Sequence, residues 1–216
     1  MRPLVKTAVV IDYQNVNTRA WKLFSKDDVG LAAKTFVNPW RFAKEALAFR
    51  NRFRPSAEKL NLNRVSVFRG LPHPVLDAEE NALNQIQKEK WEHDGNGKLE
   101  VIHRDLSYRT GPDKSEEGSR NFKKYLAREE KGIDVLCAIA LLRFLQDPDV
   151  DAVILASIDS DLEPALEEGI RISLAKPLET LSWHLPDAPG GKNRIGAKLG
   201  IWNTGLPESV YRRVLD

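Results

Sequence analysis

Acidic residues that directly follow apolar, β-branched runs are the first candidates for chemistry in this chain. Asp12 closes the run Thr7–Ile11, with Asn15 three residues on, and Asp159 and Asp161 follow Ala152–Ala156 in the stretch LASIDSDLEP. Asp134 opens the apolar stretch Ile133–Leu145 just before that second run. In open parallel sheets, ligands bind beyond the carboxyl ends of strands, where the strand order reverses. If the runs at 7–11 and 152–156 are neighbouring strands there, Asp12, Asp159 and Asp161 share one cleft and Asp134 reaches it from a helix start. Carboxylates so placed repel one another and raise each other's pKa unless a cation neutralises them. Oxygen ligands with no Cys or His beside them suit Mg²⁺ or Mn²⁺. Such an ion polarises a phosphodiester, lowers the pKa of an attacking water and stabilises the leaving oxyanion.

Each acid also has a purely local role open to it. Asp12 and Asn15 suit a turn after a strand. Asp159 suits a helix N-cap with Glu163 completing the first turn, and Asp134 complements a helix N-terminus. What sets them apart is that all of them fall at expected carboxyl ends of strands or at a helix start facing those ends.

The elements that must position these residues follow from periodicity. Five runs read as strands: Thr7–Ile11, Arg64–Phe68, Leu99–His103, Ala152–Ala156 and Arg171–Leu174. Helical patterns lie between them, and that alternation predicts a mainly parallel sheet covered on both faces. Helices are expected over Trp40–Phe53, with Phe42, Ala46, Phe49 and Phe53 on one core-facing stripe, and over Asp77–Trp91. Further helices are expected over Glu116–Glu130, over Ile133–Leu145 (apolar nearly all round, hence buried) and after Asp161. One domain over 1–216 is expected, with an insertion at 17–38 and a flexible loop at 187–200.

Composition removes several function classes. The chain has 216 residues, 42% hydrophobic and 30% charged, with a net charge of +2 that neither demands nor forbids nucleic acid. The single cysteine, Cys137, rules out an intrachain disulfide and a multi-cysteine zinc site, suits a reducing, cytoplasmic compartment, and lies in an apolar helical run as a buried, inert thiol. The four histidines are scattered, with no HExxH spacing. No apolar stretch approaches the roughly 20 residues a membrane helix needs. The start, MRPLVKTAVVIDYQN, reads as a first strand rather than a signal peptide, because acidic Asp12 follows TAVVI directly.

The segments VVIDYQNVN, KGIDVLCAIALL and VILASIDSDLEPALEEGIRI, in that order, resemble the NYN domains of the PIN-like nuclease superfamily. Those domains carry a strand ending in I-D-x-x-N, then K-G-[VI]-D-V, then L-x-S-G-D-S-D-F. The resemblance spans Thr7 to Leu174. It implies a Rossmann-like three-layer domain with sheet order 3-2-1-4-5 and a metal-dependent ribonuclease. Carried over by position, Asp12, Asp134, Asp159 and Asp161 match the acidic metal site that performs the catalysis, and Asn15 its polar neighbour. The chain departs from the pattern where Ile158 stands for Gly and Leu162 for Phe, and Ala140 takes the place of another acid that many relatives carry.

Arg41 to Arg69 is strongly basic, with eight Lys or Arg against Glu45 and Glu58. Interleaved with Trp40, Phe49 and Phe53, Arg50, Arg52 and Arg54 are candidates for RNA backbone contact, the alternative being a solvated helix face over core aromatics. Lys131 and the Lys192, Arg194 and Lys198 loop are further phosphate candidates. Gly191, Gly196 and Lys198 mimic a P-loop without Gly-Lys-Ser/Thr after a strand, so that reading is rejected. The expected function is an endonuclease hydrolysing single-stranded RNA with Mg²⁺ or Mn²⁺ and no membrane partner; self-association or a regulatory protein is left open. The alternative is a non-catalytic nucleic-acid-binding or protein-interaction module on the same fold. DNA cleavage is a third reading, since the same metal chemistry serves it.

Overall fold

The computed structural model describes residues 4–25, 35–54, 57–112, 123–173, 176–188, 190–191 and 193–216. Strand β1 (Val5–Asp12) shows why its sequence is an almost unbroken apolar run: it is buried on both faces. Val9 and Ile11 enter one core and Ala8 and Val10 the other. Helices α1 (Tyr13–Phe24) and α2 (Pro39–Phe53) lead to β2 (Leu60–Leu71), and α3 (Ala78–Gly95) leads to β3 (Leu99–Asp105). A separate antiparallel hairpin, β4 (Ser107–Pro112) and β5 (Lys123–Glu129), precedes α4 (Ile133–Gln146) and β6 (Ala152–Ala156). A short 3-10 turn, Ser160–Leu162, runs into α5 (Glu163–Ile172), followed by β7 (Leu178–Trp183), β8 (Trp202–Leu206) and α6 (Glu208–Arg213).

The main sheet has the order β3-β2-β1-β6-β7-β8, and each of its pairings is parallel. One core packs Val16 and Phe24 of α1, Phe42 and Leu47 of α2, Trp91 of α3 and Tyr211 of α6 against the sheet. The other packs Cys137 and Leu141 of α4 and Leu166 of α5 against its opposite face. This is a Rossmann-like three-layer architecture. The order reverses between β1 and β6, whose register sets Ile11 opposite Ala156. Among the described residues, no helix is long and apolar enough to cross a membrane.

Four of the five expected strands form where the periodicity sets them, in the expected relative order, with β8 added at the edge. The fifth is corrected: Arg171 and Ile172 end α5, because Ala165, Leu166 and Gly169 make a buried helical stripe and Ile170 is exposed. The strand in that place is β7. The helix expected over Glu116–Glu130 is corrected too, since Lys123–Glu129 is a strand; 113–122 lie outside the described residues. Part of the expected insertion is the regular helix α1, with Val16, Ala20 and Phe24 buried at a spacing of four; 26–34 lie outside the described residues. Within the expected flexible loop, Ile195 is buried and Ala197–Leu199 forms a 3-10 turn, while 189 and 192 lie outside the described residues. Phe53 is 64% exposed and stacks on Phe49 instead of entering the core, and α4 exposes Val135 and Ile139.

Candidate metal centre

Asp12, Asp134 and Asp159 come together at the switch point between β1 and β6. One carboxylate oxygen from each lies within 4.8 Å of the other two. Three local motifs put them there. Asp12 ends β1 and caps α1, its Oδ1 accepting from the Asn15 backbone N–H at 3.2 Å. Asp134 stands in the first turn of α4, behind Gly132, whose φ of 78° lets the chain turn sharply into the helix. Asp159 caps the 3-10 turn after β6, accepting from the Asp161 N–H at 3.0 Å. The local roles open to these acids are therefore real for Asp12 and Asp159, and each cap still leaves oxygen lone pairs facing the cleft.

The two strand-end loops are tied to one another. Ser157 Oγ donates to Asp12 Oδ2 at 3.0 Å and accepts from the Asp159 N–H at 3.1 Å. Asn15 Oδ1 accepts from the Ile158 N–H at 3.1 Å. Asn15 is thus a brace between the loops as well as a lining residue of the cleft. Among the described residues, Asn96 is the one non-glycine with positive φ, so Ile158 occupies ordinary backbone and no glycine is required there. Ile158 is half-buried, and the adjacent Asp159 lies within the triad.

The electrostatics suit a cation. Burial pushes the Asp12 carboxyl up to about 7, helped by Glu130 and Asp134 and opposed by the hydrogen bonds from Asn15 and Ser157. Burial, then the charges of Asp159 and Asp161, also raise the Asp134 pKa. Among the described residues, no Lys or Arg forms a salt bridge with any of the three acids. Oxygens bound at about 2.0–2.1 Å in an octahedron lie roughly 3–4 Å apart. Small side-chain adjustments would bring this set around one Mg²⁺ or Mn²⁺.

Asp161 stands apart from the triad. It is exposed, its charge raises the Asp134 pKa, and its backbone N–H donates to Asp159 Oδ1. Glu130 is the acid that sequence reasoning missed. It lines the cleft, burial raises its pKa, and its Oε1 accepts from the Gly70 N–H at 2.6 Å. Gly70 makes that approach possible, since a Cβ there would come 2.6 Å from Glu130 Oε1 and 2.3 Å from Leu106 Cδ2. Its spacing of four before Asp134 in E-K-G-I-D was the available signal, obscured by the expected helix over that segment.

The arginine candidates lie elsewhere. Arg50 is 3% exposed, and its Nε and Nη2 form a bidentate pair with Glu179, buried near the amino end of β7. Its Nη1 donates to the Glu58 carbonyl at 2.6 Å. Arg54 joins Glu179 at 2.9 Å and lies over the Trp202 ring. Both belong to an ion cluster around Glu179, which buries Arg50 away from the surface and leaves Arg54 partly exposed. Arg52 is exposed and lines neither of the two larger cavities. Lys131 is exposed, its carbonyl accepting from Arg104 Nε at 2.6 Å, and it does not line the cleft. The basic residues that do line it are Arg19 and Lys22 of α1. Cys137 is fully buried and burial pushes its thiol up, as expected of an inert core residue.

No family model matches the chain, and no curated protein matches it. Among solved structures, the chain is similar to a protein of unknown function from Vibrio parahaemolyticus, with 17% identity, 96% of each chain covered and a TM-score of 0.46.

Proposed function

We propose that the chain is a divalent-metal-dependent endoribonuclease that hydrolyses single-stranded RNA, as its likeness to NYN domains implies. The observation that carries this reading is the convergence of Asp12, Asp134 and Asp159, from three separate elements, at the switch point of a parallel sheet. Asp12 is the strongest single indicator: a buried carboxylate that favours its proton up to about pH 7 is in an unfavourable setting unless a cation replaces that proton.

In this reading Asp12, Asp134 and Asp159 hold Mg²⁺ or Mn²⁺, which supplies charge stabilisation of a phosphodiester and an acidified water. Ser157 and Asn15 keep the two loops in register. Glu130 and Asp161 add negative charge around the ion, and Arg19 and Lys22 face the strand's phosphates at the rim. The proposal extends to a cytoplasmic RNA partner, in keeping with one buried cysteine.

The test is incubation of the purified chain with end-labelled single-stranded RNA, with Mg²⁺ or Mn²⁺ and with EDTA. Metal-dependent internal cleavage, lost in Asp134→Asn, is the expected result. Cleavage that persists in EDTA and in Asp134→Asn would sink the proposal. RNA binding without cleavage under either metal would favour the binding-module alternative.

A further inference from the structure

Beside the acidic cleft lies a larger cavity of about 800 Å³, and the two share Gln14 and Glu130. Its distinguishing residue is Arg69 of β2, only 8% exposed, with its guanidinium 4.7 Å from the Tyr13 ring, 5.6 Å from Phe36 and 5.5 Å from Trp91. Among the described residues, its one hydrogen bond is Nη1 to Gln87 Oε1 at 2.7 Å, and no carboxylate forms a salt bridge with it. A guanidinium has five N–H donors, so Nε and Nη2 are left without protein acceptors. Arg69 lines the cavity, and burial lowers its pKa against the opposing charges of Glu130 and Glu80.

The rest of the lining narrows the ligand. Lys90 pairs with Asp216 and Arg128 with Glu80, so those charges cancel locally. What remains is the unsatisfied edge of Arg69, the carboxylate of Glu130, amide side chains such as Asn84, and apolar walls including Leu83 and Ile86. A bare phosphate gains little from apolar walls and is repelled by Glu130. A flat heterocycle with acceptors on one edge and donors on another matches all four features. Guanine is that base: its O6 and N7 accept from an arginine fork, and its N1–H and N2 amine seek an acceptor such as a carboxylate.

We propose that this cavity binds a guanine base, with Arg69 reading its O6/N7 edge, so that the enzyme prefers RNA with a guanine beside the cleaved bond. The placement of that base on a cleaved strand rests on the ribonuclease reading; the binding itself does not.

The test is calorimetric titration of the full chain in EDTA with GMP, AMP and inorganic phosphate. GMP should bind saturably, AMP about tenfold or more weakly, and phosphate not detectably. Arg69→Gln should abolish GMP binding. Because Arg69 packs against three rings, Ile86→Trp provides a second variant: Ile86 is 62% exposed, so the substitution crowds the cavity wall without touching the core. It should weaken GMP binding severalfold while circular dichroism stays unchanged. Absence of GMP binding, equal binding of phosphate, or undiminished binding in Ile86→Trp and a folded Arg69→Gln would overturn the proposal. GMP binding without RNA cleavage would remove the ribonuclease reading and leave the guanine site standing. Cleavage indifferent to guanine, with no GMP binding, would do the reverse.

Discussion

Replacing Asp12 by Asn should stabilise the metal-free protein and abolish its response to metal. The folded-state pKa of Asp12 is raised from 3.8 to about 7. Below pH 3.8 both folded and unfolded chains hold the proton, and the group adds nothing to the balance. Between that value and about 7 the unfolded chain releases the proton while the native chain keeps it, so stability falls as pH rises. Above about 7 the loss is complete. At about 1.4 kcal/mol per pH unit it amounts to roughly 4 kcal/mol, an order-of-magnitude figure. Asn removes that penalty but weakens the hydrogen bonds that Ser157 and Asn15 donate to the carboxylate, at a cost of about 1 kcal/mol. The net expectation at pH 8 in EDTA is a gain of about 2–3 kcal/mol, or roughly 4–12 °C in Tm for a chain of this size. The gain should vanish near pH 4. Mn²⁺ at a thousand times its Kd should invert the comparison, since it adds about 4.1 kcal/mol to the wild type alone. Thermal melts at pH 4, 6 and 8, with EDTA and with Mn²⁺, measure all of this. A variant no more stable than wild type at pH 8 in EDTA would show that Asp12 is not the strained acid described. Equal Mn²⁺ shifts in both proteins would show that it is not a ligand.

Mn²⁺ affinity should be lost in Asp134→Asn but reduced only a few-fold in Asp161→Asn, because Asp161 supplies charge rather than a ligand oxygen; equal losses by calorimetry would place Asp161 in the coordination shell. Ile158→Gly should leave cleavage unchanged or faster, since the Asn15 brace holds the 158 N–H whatever the side chain; a large drop in kcat would mean that the isoleucine shapes the site. Arg50→Ala should destabilise the fold by about 3–5 kcal/mol in urea melts, leaving Glu179 buried without its bidentate partner, while Mn²⁺ affinity of the folded fraction is unaltered. A stable Arg50→Ala protein with weakened RNA binding would restore Arg50 to the binding surface. Burial lowers the His103 pKa to about 4, so its contribution to stability is present above about 6.5 and lost as pH falls through the window down to about 4. Across that window His103 opposes the Asp12 trend, and His103→Gln in an Asp12→Asn background should flatten the acid limb of the melt profile. An unchanged limb would assign it to other groups.

The residues of the acidic centre were legible because parallel strands buried on both faces must be written as apolar runs, and such runs end where the chain meets the cleft. Thr7–Ile11 and Ala152–Ala156 announced themselves in that way, and Asp12, Asp159 and the helix-opening Asp134 followed from their ends. Strand β7 was illegible for a complementary reason: it buries Glu179, a residue that signals exposure until a partner 129 positions away neutralises it. That same pairing withdrew Arg50 from the surface and tied down Arg54, whereas local periodicity could only describe them as a basic stripe. Tertiary structure also decided which acids meet. Glu130, just after β5, reaches the cleft where its carboxylate meets the Gly70 N–H near the end of β2 and the glycine leaves room for it, while Asp161, two residues from a triad member, is turned outward by its 3-10 turn. Spacing along the chain specifies which face of an element a residue shares with its neighbours. Contact between elements depends on how those faces pack, and only there did Arg69 acquire its ring cage and its unsatisfied donors.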